Sequence, residues 1–356
     1  MKQFYEFYSL QGLKTPKFTF SYPFMQKDSP RKFKALLSKA RSIVIVTHWS
    51  PDGDAIGSSL ALYHYLLKLK KSVKVIVPNA YPEFLNWMPG TKQILHFQGN
   101  EQKAGKLLDK ADVIFTLDFN SYKRLEKLGN LLEKTSAPKV LIDHHQQPDS
   151  YASYYYHDVS ACSTCELIFD FITALGDKKL LDKKIAACLY TGIMTDTGSF
   201  RYPSVTSRTH LVISELLKTG IKPADIHSAV YDNYSIQRLQ LLGYSLSEKM
   251  KVIEGFPVAY FTLTQAELDR FNYQKGDTEG LVNYPFSIKG IQVCALFSEG
   301  DGQVKISFRS KGNRDMNTFA RLYFNGGGHI NAAGGRSSAS LQDTELKFIE
   351  LVKKLF

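Results

Sequence analysis

The chain is poor in cysteine: only Cys162, Cys165, Cys188 and Cys294 occur in 356 residues. That excludes a disulfide-built scaffold and fits a reducing compartment. Cys162 and Cys165 form a C-x-x-C, but no second pair or histidine follows at zinc-finger spacing. Cys165 instead opens an apolar helical run, where a buried thiol is expected. Long apolar stretches are also lacking. None approaches the roughly 18 residues of a membrane span, and the N-terminus has no continuous apolar signal core. The expectation is a cytoplasmic chain without a membrane partner. Neither an internal repeat nor a low-complexity tract is present, which excludes repeat architectures. Acidic residues fall short of basic ones, 34 against 45, for a net charge of +11. Such an excess favours polyanions such as nucleotides or nucleic acid. The lysines are scattered, however, so charge alone fits a merely basic surface equally well.

What the chain does have is core material: 44% hydrophobic and 13% aromatic residues, at a length that suggests about two domains. Residues 1–28 are aromatic and basic without a period, and are expected to form an arm. Ser29-Pro30 starts a helix. Ser42 to Val46 is a continuous β-branched run, the mark of a buried parallel strand, and Ala55 to Leu69 is helical. Further strands are expected at Val73–Val77, Asp112–Leu117 and Lys139–Ile142, with helices near Glu101–Leu108 and Ser121–Lys134 between them. This alternation predicts an α/β, doubly wound, mainly parallel sheet. Helices follow at Thr164–Leu175, Lys183–Thr195 and Ser207–Leu217. A helix over 235–250 is expected to link residues 1–234 to a smaller α+β domain at 251–356. In the latter, β-rich stretches flank the hairpin signal Gly300-Asp301-Gly302. A short helix near Met316 to Leu322, a glycine cluster and a final helix complete it.

Three polar clusters end apolar strand-like runs. They are His48, Asp52 and Asp54; then Asp118; then Asp143, His144 and His145. In open α/β sheets ligands bind beyond the carboxyl ends of the strands, so these clusters share one edge. Asp196 ends the helix from Lys183 and is a fourth candidate. Taken singly, each Asp is as well explained as a helix cap or a surface residue; Asp54, for one, could cap the helix after it. Together they pose a charge problem that divalent cations solve. Two ions 3.5–4 Å apart would need about this many His and Asp ligands, with one carboxylate bridging.

Asp143-His144-His145 after an apolar strand, with His48-x-x-x-Asp52-x-Asp54 upstream, resembles the DHH phosphoesterase superfamily. Gly326-Gly327-Gly328-His329-Ile330-Asn331-Ala332-Ala333-Gly334 resembles that superfamily's DHHA1 domain, with Asn325 where the family usually has a first glycine. The combination is most similar to the NrnA-type bifunctional oligoribonucleases and 3′-phosphoadenosine 5′-phosphate (pAp) phosphatases. This resemblance implies a first metal held by His48, Asp52 and Asp118. It implies a second held by Asp54, Asp118, His144 and Asp196, with Asp118 as the bridge. Mn2+ is the implied ion, with Mg2+ or Co2+ as alternatives. Asp143 would orient a neighbouring imidazole, and His145 would face the substrate phosphate. Glycines 326 to 328 can form a backbone nest for an anion, joined by His329 and Arg309; Arg201 is a weaker candidate for a phosphate. The implied function is a two-metal phosphohydrolase with its active site in an interdomain cleft. It would degrade short single-stranded RNA to 5′-mononucleotides and convert pAp to AMP. The resemblance leaves room for a homodimer. Cleavage of cyclic or linear dinucleotides, or of polyphosphate, is the alternative within the superfamily. A non-catalytic nucleotide-binding protein is the remote one.

Overall fold

The computed structural model describes residues 25–356; most of the expected arm lies outside the described residues. Strand β1 (Met25–Lys27) leads to helix α1 (Pro30–Lys39) and then to β2 (Ser42–Thr47) and α2 (Gly53–Lys68). Next come β3 (Ser72–Val77), β4 (Ile94–His96), α3 (Glu101–Asp109), β5 (Val113–Leu117) and α4 (Lys127–Lys134). Strands β6 (Lys139–Asp143) and β7 (Tyr154–Asp158) complete a sheet of order β1-β7-β6-β5-β2-β3-β4. All its pairings are parallel except β1 with β7. Side chains alternate across it. Ile43 and Ile45 pack with Ile56 and Leu60 of α2, while Val44 and Val46 pack with Leu108 of α3 and Leu132 of α4. Burial on both faces explains why these strands read as unbroken apolar runs.

Helices α5 (Thr164–Ala174) and α6 (Lys183–Asp196) lie against α2 on one face; α7 (Ser207–Leu217) and α8 (Pro223–Tyr231) follow. Helix α9 (Ile236–Tyr244) then leads to β8 (Met250–Val252), β9 (Val258–Leu263) and α10 (Gln265–Arg270). Beyond them are β10 (Val293–Gly300), β11 (Gln303–Ser310), α11 (Met316–Tyr323), β12 (Gly327–Gly328), β13 (Ala332–Ser337) and α12 (Leu341–Val352). The second sheet has the order β12-β13-β11-β10-β9-β8, parallel only between β9 and β10. Phe297, Phe308, Phe319 and Phe348 fill one of its faces, and Leu241, Phe261 and Leu296 the other.

Four readings of the sequence are corrected. The helix expected over Ser121 to Lys134 is two pieces, a 3-10 turn at Tyr122–Leu125 and then α4. They are broken at Glu126, whose φ is +53°. The helix expected over 235–250 stops being α-helical at Tyr244, widens to a π turn at Ser245–Lys249 and gives way to β8. The glycine cluster precedes no helix: Gly327 and Gly328 pair with Gly334 and Ala333 of β13. Strands β4, β7 and β13 and helix α8 are additions, being short, polar or glycine-bearing segments with little periodic signal.

Candidate metal centre and substrate cleft

Adjacent strands β2, β5 and β6 end side by side, so the loops after them deliver His48, Asp118 and the 143–145 cluster to one place. In the first loop Ser50 takes φ +55°, and Asp52 caps α2 by accepting the backbone N–H groups of Asp54 and Ala55 at 3.0 Å. The cap is therefore Asp52 rather than Asp54. The Asp54 carboxylate reaches instead across to α5, where it accepts N–H from Thr164 (2.6 Å) and Cys165 (2.9 Å). Anions are stabilised at such a helix N-terminus. Asp54 can sit there because α2 and α6 touch through glycine. A Cβ on Gly192 would lie 2.2 Å from the Cys165 sulfur and 2.8 Å from Asp54 Oδ1. One on Gly57 would lie 2.6 Å from the Cys188 carbonyl oxygen. The same close crossing brings Asp196, the last residue of α6, to the cluster.

Asp118 is central. Its backbone has φ +64°, and its Oδ1 accepts the Thr164 hydroxyl at 2.9 Å. Its Oδ2 is 3.4 Å from His48 Nε2, and its Oδ1 is 3.5 Å from His144 Nε2. His144 Nε2 is also 3.5 Å from Asp196 Oδ2 and 3.8 Å from Asp54 Oδ2; His48 Nε2 is 3.9 Å from Asp52 Oδ2. Most of these gaps are long for hydrogen bonds. They match donors that share an ion at about 2.1 Å from each. Four groups of donors lie close enough to share an ion: His48–Asp52–Asp118 and Asp54–Asp118–His144, with Asp118 in both, and beside them Asp118–Asp143–His145 and His144–His145–His329.

The imidazoles are aimed for this. His48 Nδ1 is 2.9 Å from the Trp49 carbonyl oxygen, and His144 Nδ1 is 3.2 Å from that of Ala161. A proton on each Nδ1 leaves Nε2 as a free lone pair facing the carboxylates. His48 Nε2 is buried and has no hydrogen-bond partner. An orphaned buried nitrogen beside carboxylates fits a metal ligand, and the N/O donor set suits a divalent ion of the manganese type.

The electrostatics show the same demand for cations. Burial pushes Asp54 well up, with Asp118 and Asp196 adding to it. Burial pushes Asp196 up to about 7, opposed by His144 and reinforced by Asp52 and Asp118. Burial would raise Asp118 too, but the His144 and His48 imidazoles beside it, with His145 adding to them, hold it well below the carboxylate range. Against its own burial, His144 is held well above the imidazole range by Asp118 and Asp196. Without a cation, this cluster retains protons that an ion would displace.

Asp143 and His145 stand behind this layer. Asp143 Oδ1 is 2.7 Å from His145 Nδ1, and Arg124 Nη1 is 2.8 Å from His145 Nε2. The arginine can only donate, so Nε2 accepts and Nδ1–H donates to Asp143. Burial and Arg124 lower the His145 pKa, consistent with a neutral ring. His157 fixes the backbone from outside, its Nε2 lying 2.7 Å from the His145 carbonyl oxygen. Arg124 was not legible as a site residue. It lay inside a stretch expected to be one helix, whereas it sits in the 3-10 turn just ahead of the break at Glu126. Its own carbonyl accepts from Trp49 N–H at 2.7 Å, tying it to the His48 loop.

His329 arrives from the second sheet. Its ring stacks on His145 with centroids 4.3 Å apart, and its centroid is 4.6 Å from that of His144. Asn317 Nδ2 donates to Gln146 Oε1 at 3.3 Å, and Arg336 pairs with Glu126 at 2.6 Å. A cleft of about 700 Å³ lies between the two sheets, within the range of ligand sites. Asp52, His144, Asp196, Arg201, Arg309 and His329 line it. Arg309 keeps a buried Nε with no partner, whereas exposed Arg201 donates its Nε–H to the Gly198 carbonyl oxygen at 2.8 Å.

Glycines 326 to 328 lie behind this surface rather than on it. The Gly326 N–H goes to the Ala320 carbonyl oxygen, that of Gly328 to Asn317 Oδ1 and that of His329 to the Ala332 carbonyl oxygen. Those N–H groups are spent, so the expected anion nest is not formed. The glycines serve close approach: a Cβ on Gly326 would lie 1.9 Å from the Gly334 carbonyl oxygen. Asn325 takes φ +46°, the left-handed conformation that asparagine tolerates where a glycine is common.

Residues 42–193 match the DHH family N-terminal domain, and residues 255–356 match the DHHA1 domain. The chain is 33% identical over 327 residues to a probable bifunctional oligoribonuclease and PAP phosphatase NrnA of Streptococcus mutans, covering 90% of this chain and 97% of that one. It is 30% identical to the bifunctional oligoribonuclease and PAP phosphatase NrnA of Thermus thermophilus, covering 82% and 83%. Among solved structures, an exopolyphosphatase-related protein from Bacteroides fragilis is 42% identical, with a TM-score of 0.87 and coverage of 94% and 98%. No helix of the described residues is long and apolar enough to cross a membrane.

Proposed function

We propose, from the premise that the chain belongs to the DHH family and carries a C-terminal DHHA1 domain, that it is a two-metal phosphohydrolase of short RNA and pAp. It would release 5′-mononucleotides from oligoribonucleotides of a few residues and AMP from pAp, the activities named for its NrnA relatives. The observation that carries the reading is the pair of donor sets sharing Asp118. His48, Asp52 and Asp118 would hold one ion; Asp54, Asp118, His144 and Asp196 would hold the other. Mn2+ is our choice of ion. When bound, the ions would supply Lewis-acid charge at the attacked phosphoryl group and ease ionisation of a water.

The chain's own residues do the rest. Residues 1–234 carry the ligands, 235–250 join the halves, and 251–356 bring substrate-binding groups to the cleft. Asp118 stays ionised, as a bridging ligand must. The Asp143–His145–Arg124 chain fixes a neutral imidazole beside the ligands and turns the His145 edge away from solvent. Arg309, with its unspent donors, is suited to a substrate phosphate, and His329 closes the cleft over His145. A cleft walled by both halves admits a chain end rather than a duplex.

One observation favours a second substrate class: the Bacteroides fragilis relative is described as exopolyphosphatase-related. The test is hydrolysis of a 5′-labelled RNA trinucleotide, with pAp, cyclic di-AMP and polyphosphate in parallel, each with Mn2+, Mg2+ or chelator. Metal-dependent release of mononucleotides and AMP is expected. Cleavage of polyphosphate alone would keep the chemistry and overturn the substrate.

A further inference from the structure

The end of the first sheet away from the metal donors is basic. Arg41 stands just before β2, Lys70 and Lys71 just before β3, and Lys110 shortly before β5. These strands are parallel neighbours, so the residues gather at their amino ends. The Arg41 carbonyl oxygen accepts Ser72 N–H at 2.9 Å, and the Lys71 ammonium donates to the Ala40 carbonyl oxygen at 2.8 Å. Helix α6 begins on the same face. Lys68, which closes α2, pairs at 2.9 Å with Asp182, the cap of α6. Lys183 and Lys184 open that helix, and Lys178 and Lys179 stand in the turn before it.

Most of these cations lack a counter-charge. Lys178 pairs with Glu215 at 2.9 Å. Arg41, Lys70, Lys110, Lys179, Lys183 and Lys184 are exposed and form no ion pair among the described residues. The acids of the same segments are already engaged. Asp112 accepts the Arg41 and Ser42 N–H groups, Asp177 accepts the Tyr65 hydroxyl, and Asp182 caps α6 and holds Lys68. Asp109 alone among them has no such bond. A lysine at a helix end is ordinary where it offsets the dipole, as Lys39 and Lys68 do in the last turns of α1 and α2. Lys183 and Lys184 are the reverse case. They sit at the positive end of the α6 dipole, with two more lysines just ahead of them. The fold gains nothing from cations there, and like charges gathered on one face repel. An anionic partner removes that repulsion.

The chemistry of the face selects the anion. Among the described residues of these segments, Leu67 is the one exposed large apolar side chain, and no aromatic is exposed. Stable membrane binding takes an apolar anchor as well as a basic patch. Single-stranded RNA takes rings that stack its bases. Cations with neither suit the regularly spaced phosphates of a duplex, held by counterion release without reading bases. The place on the fold fits as well. Strand β2 has six residues, so the face lies roughly 20 Å from the donor cluster, and RNA held there leaves the cleft free. We propose that this end of the first sheet is a docking face for the backbone of double-helical RNA. It would hold the protein beside long folded RNA, whose shortening by other nucleases supplies the short chains that the cleft takes. The docking itself does not depend on the reaction proposed above.

The test is fluorescence anisotropy of a labelled RNA hairpin of about 20 base pairs, titrated with the full chain in Mn2+ and checked intact afterwards. Wild type should bind it, and affinity should fall roughly a hundredfold between about 50 and 200 mM salt, as when four phosphates are neutralised. Lys179→Glu, Lys183→Glu and Lys184→Glu together should weaken binding by about tenfold or more and flatten the salt dependence. All three side chains are exposed, and acids in a first helical turn favour the helix, so this variant should melt like wild type. Its turnover of an RNA trinucleotide should be unchanged. Lys289→Glu, Lys353→Glu and Lys354→Glu together alter the net charge equally from the other domain, and should leave hairpin binding within about twofold of wild type. No hairpin binding by wild type at the lower salt would overturn the docking face. So would equal losses in the two triple variants, which would mark net charge rather than a face. Binding to phosphatidylglycerol vesicles in place of the hairpin would make the face a membrane contact and overturn it too. Hairpin docking by a wild type that leaves the trinucleotide uncut sinks the proposed function and leaves the face standing.

Discussion

The two sheets carry their chemistry in different ways. In the first, parallel strands β2, β5 and β6 end together, and every donor they deliver is fixed from behind. His48 is held by the Trp49 carbonyl, His144 by that of Ala161, Asp54 by the start of α5 and Asp118 by Thr164. His48, Asp54, Asp118 and His144 are all buried. In the second sheet the cleft-facing groups are fewer and less tied. Arg309 spends one side-chain hydrogen bond, on the Phe308 carbonyl, and His329 is held by its backbone and by ring stacking. The lesson is a division of labour. A parallel sheet gathers donors rigidly enough to hold ions, while a mainly antiparallel sheet offers single groups that follow the substrate. Changes to the first should therefore fall on kcat, and changes to the second on KM.

The largest break in that comparison is Asp118→Asn. It keeps the shape but removes the charge common to both donor sets. Losing several kcal/mol of charge stabilisation lowers kcat by about a thousandfold or more. Metal content, measured by elemental analysis, should fall in the same variant. Retention of most activity would refute the shared role of Asp118. On the other sheet, Arg309→Lys keeps a charge but loses the planar fork. A hydrogen bond to a charged group is worth roughly 1.5–3 kcal/mol, so KM should rise about tenfold or more with a much smaller change in kcat. A fall in kcat at constant KM would show that the second sheet also takes part in the chemistry.

The first sheet was legible because its physics is periodic and local. Continuous Val and Ile runs marked β2, β5 and β6, and the polar residues just past them were the donors. Asp196 was legible from the end of an apolar helix. What escaped depended on backbone events without a pattern. Arg124 sits in a 3-10 turn ended by a break at Glu126 that a helical reading of 121–134 smooths over. The glycine cluster looked like an anion nest because its composition allows one. Only the fold shows that its N–H groups are used, by Ala320 and Asn317 of α11 and by Ala332 of β13.

A smaller effect separates the ligand cluster from its surroundings through pH. Asp54, Asp196 and His144 have folded-state pKa values above their ordinary ones. At these three groups, without metal, the folded state holds more protons than the unfolded one across the range from their ordinary values up to their raised folded-state ones. Its stability from these groups therefore falls as pH rises through that window. Asp118, shifted downward, acts the other way, but only below about pH 4. A bound ion must displace the retained protons, so its affinity rises with pH. The melting temperature with saturating Mn2+, minus that with chelator, should widen from pH 5.5 to 8. A gap of roughly 5 °C is expected at a hundredfold excess over Kd. A gap that narrows as pH rises would contradict the protonation pattern of the first sheet.

The smallest effect tests how firmly the two sheets are tied. Arg336 and Glu126 bridge the halves at 2.6 Å, but their side chains are 42% and 40% exposed. Exposed pairs contribute about 0–1 kcal/mol and are screened by salt. Glu126→Gln should therefore leave the melting temperature within about 2 °C of wild type. Yet Glu126 follows the 3-10 turn that holds Arg124, and its positive φ is what ends that turn. The two roles come apart by substitution. Arg336→Gln removes only the bridge, and Glu126→Gly removes the bridge while easing the strained backbone. If Arg336→Gln lowers kcat as far as Glu126→Gly does, the second sheet positions the chemistry through this contact and the division of labour fails. If only Glu126→Gly lowers it, the turn under Arg124 is the sensitive element and belongs wholly to the first sheet.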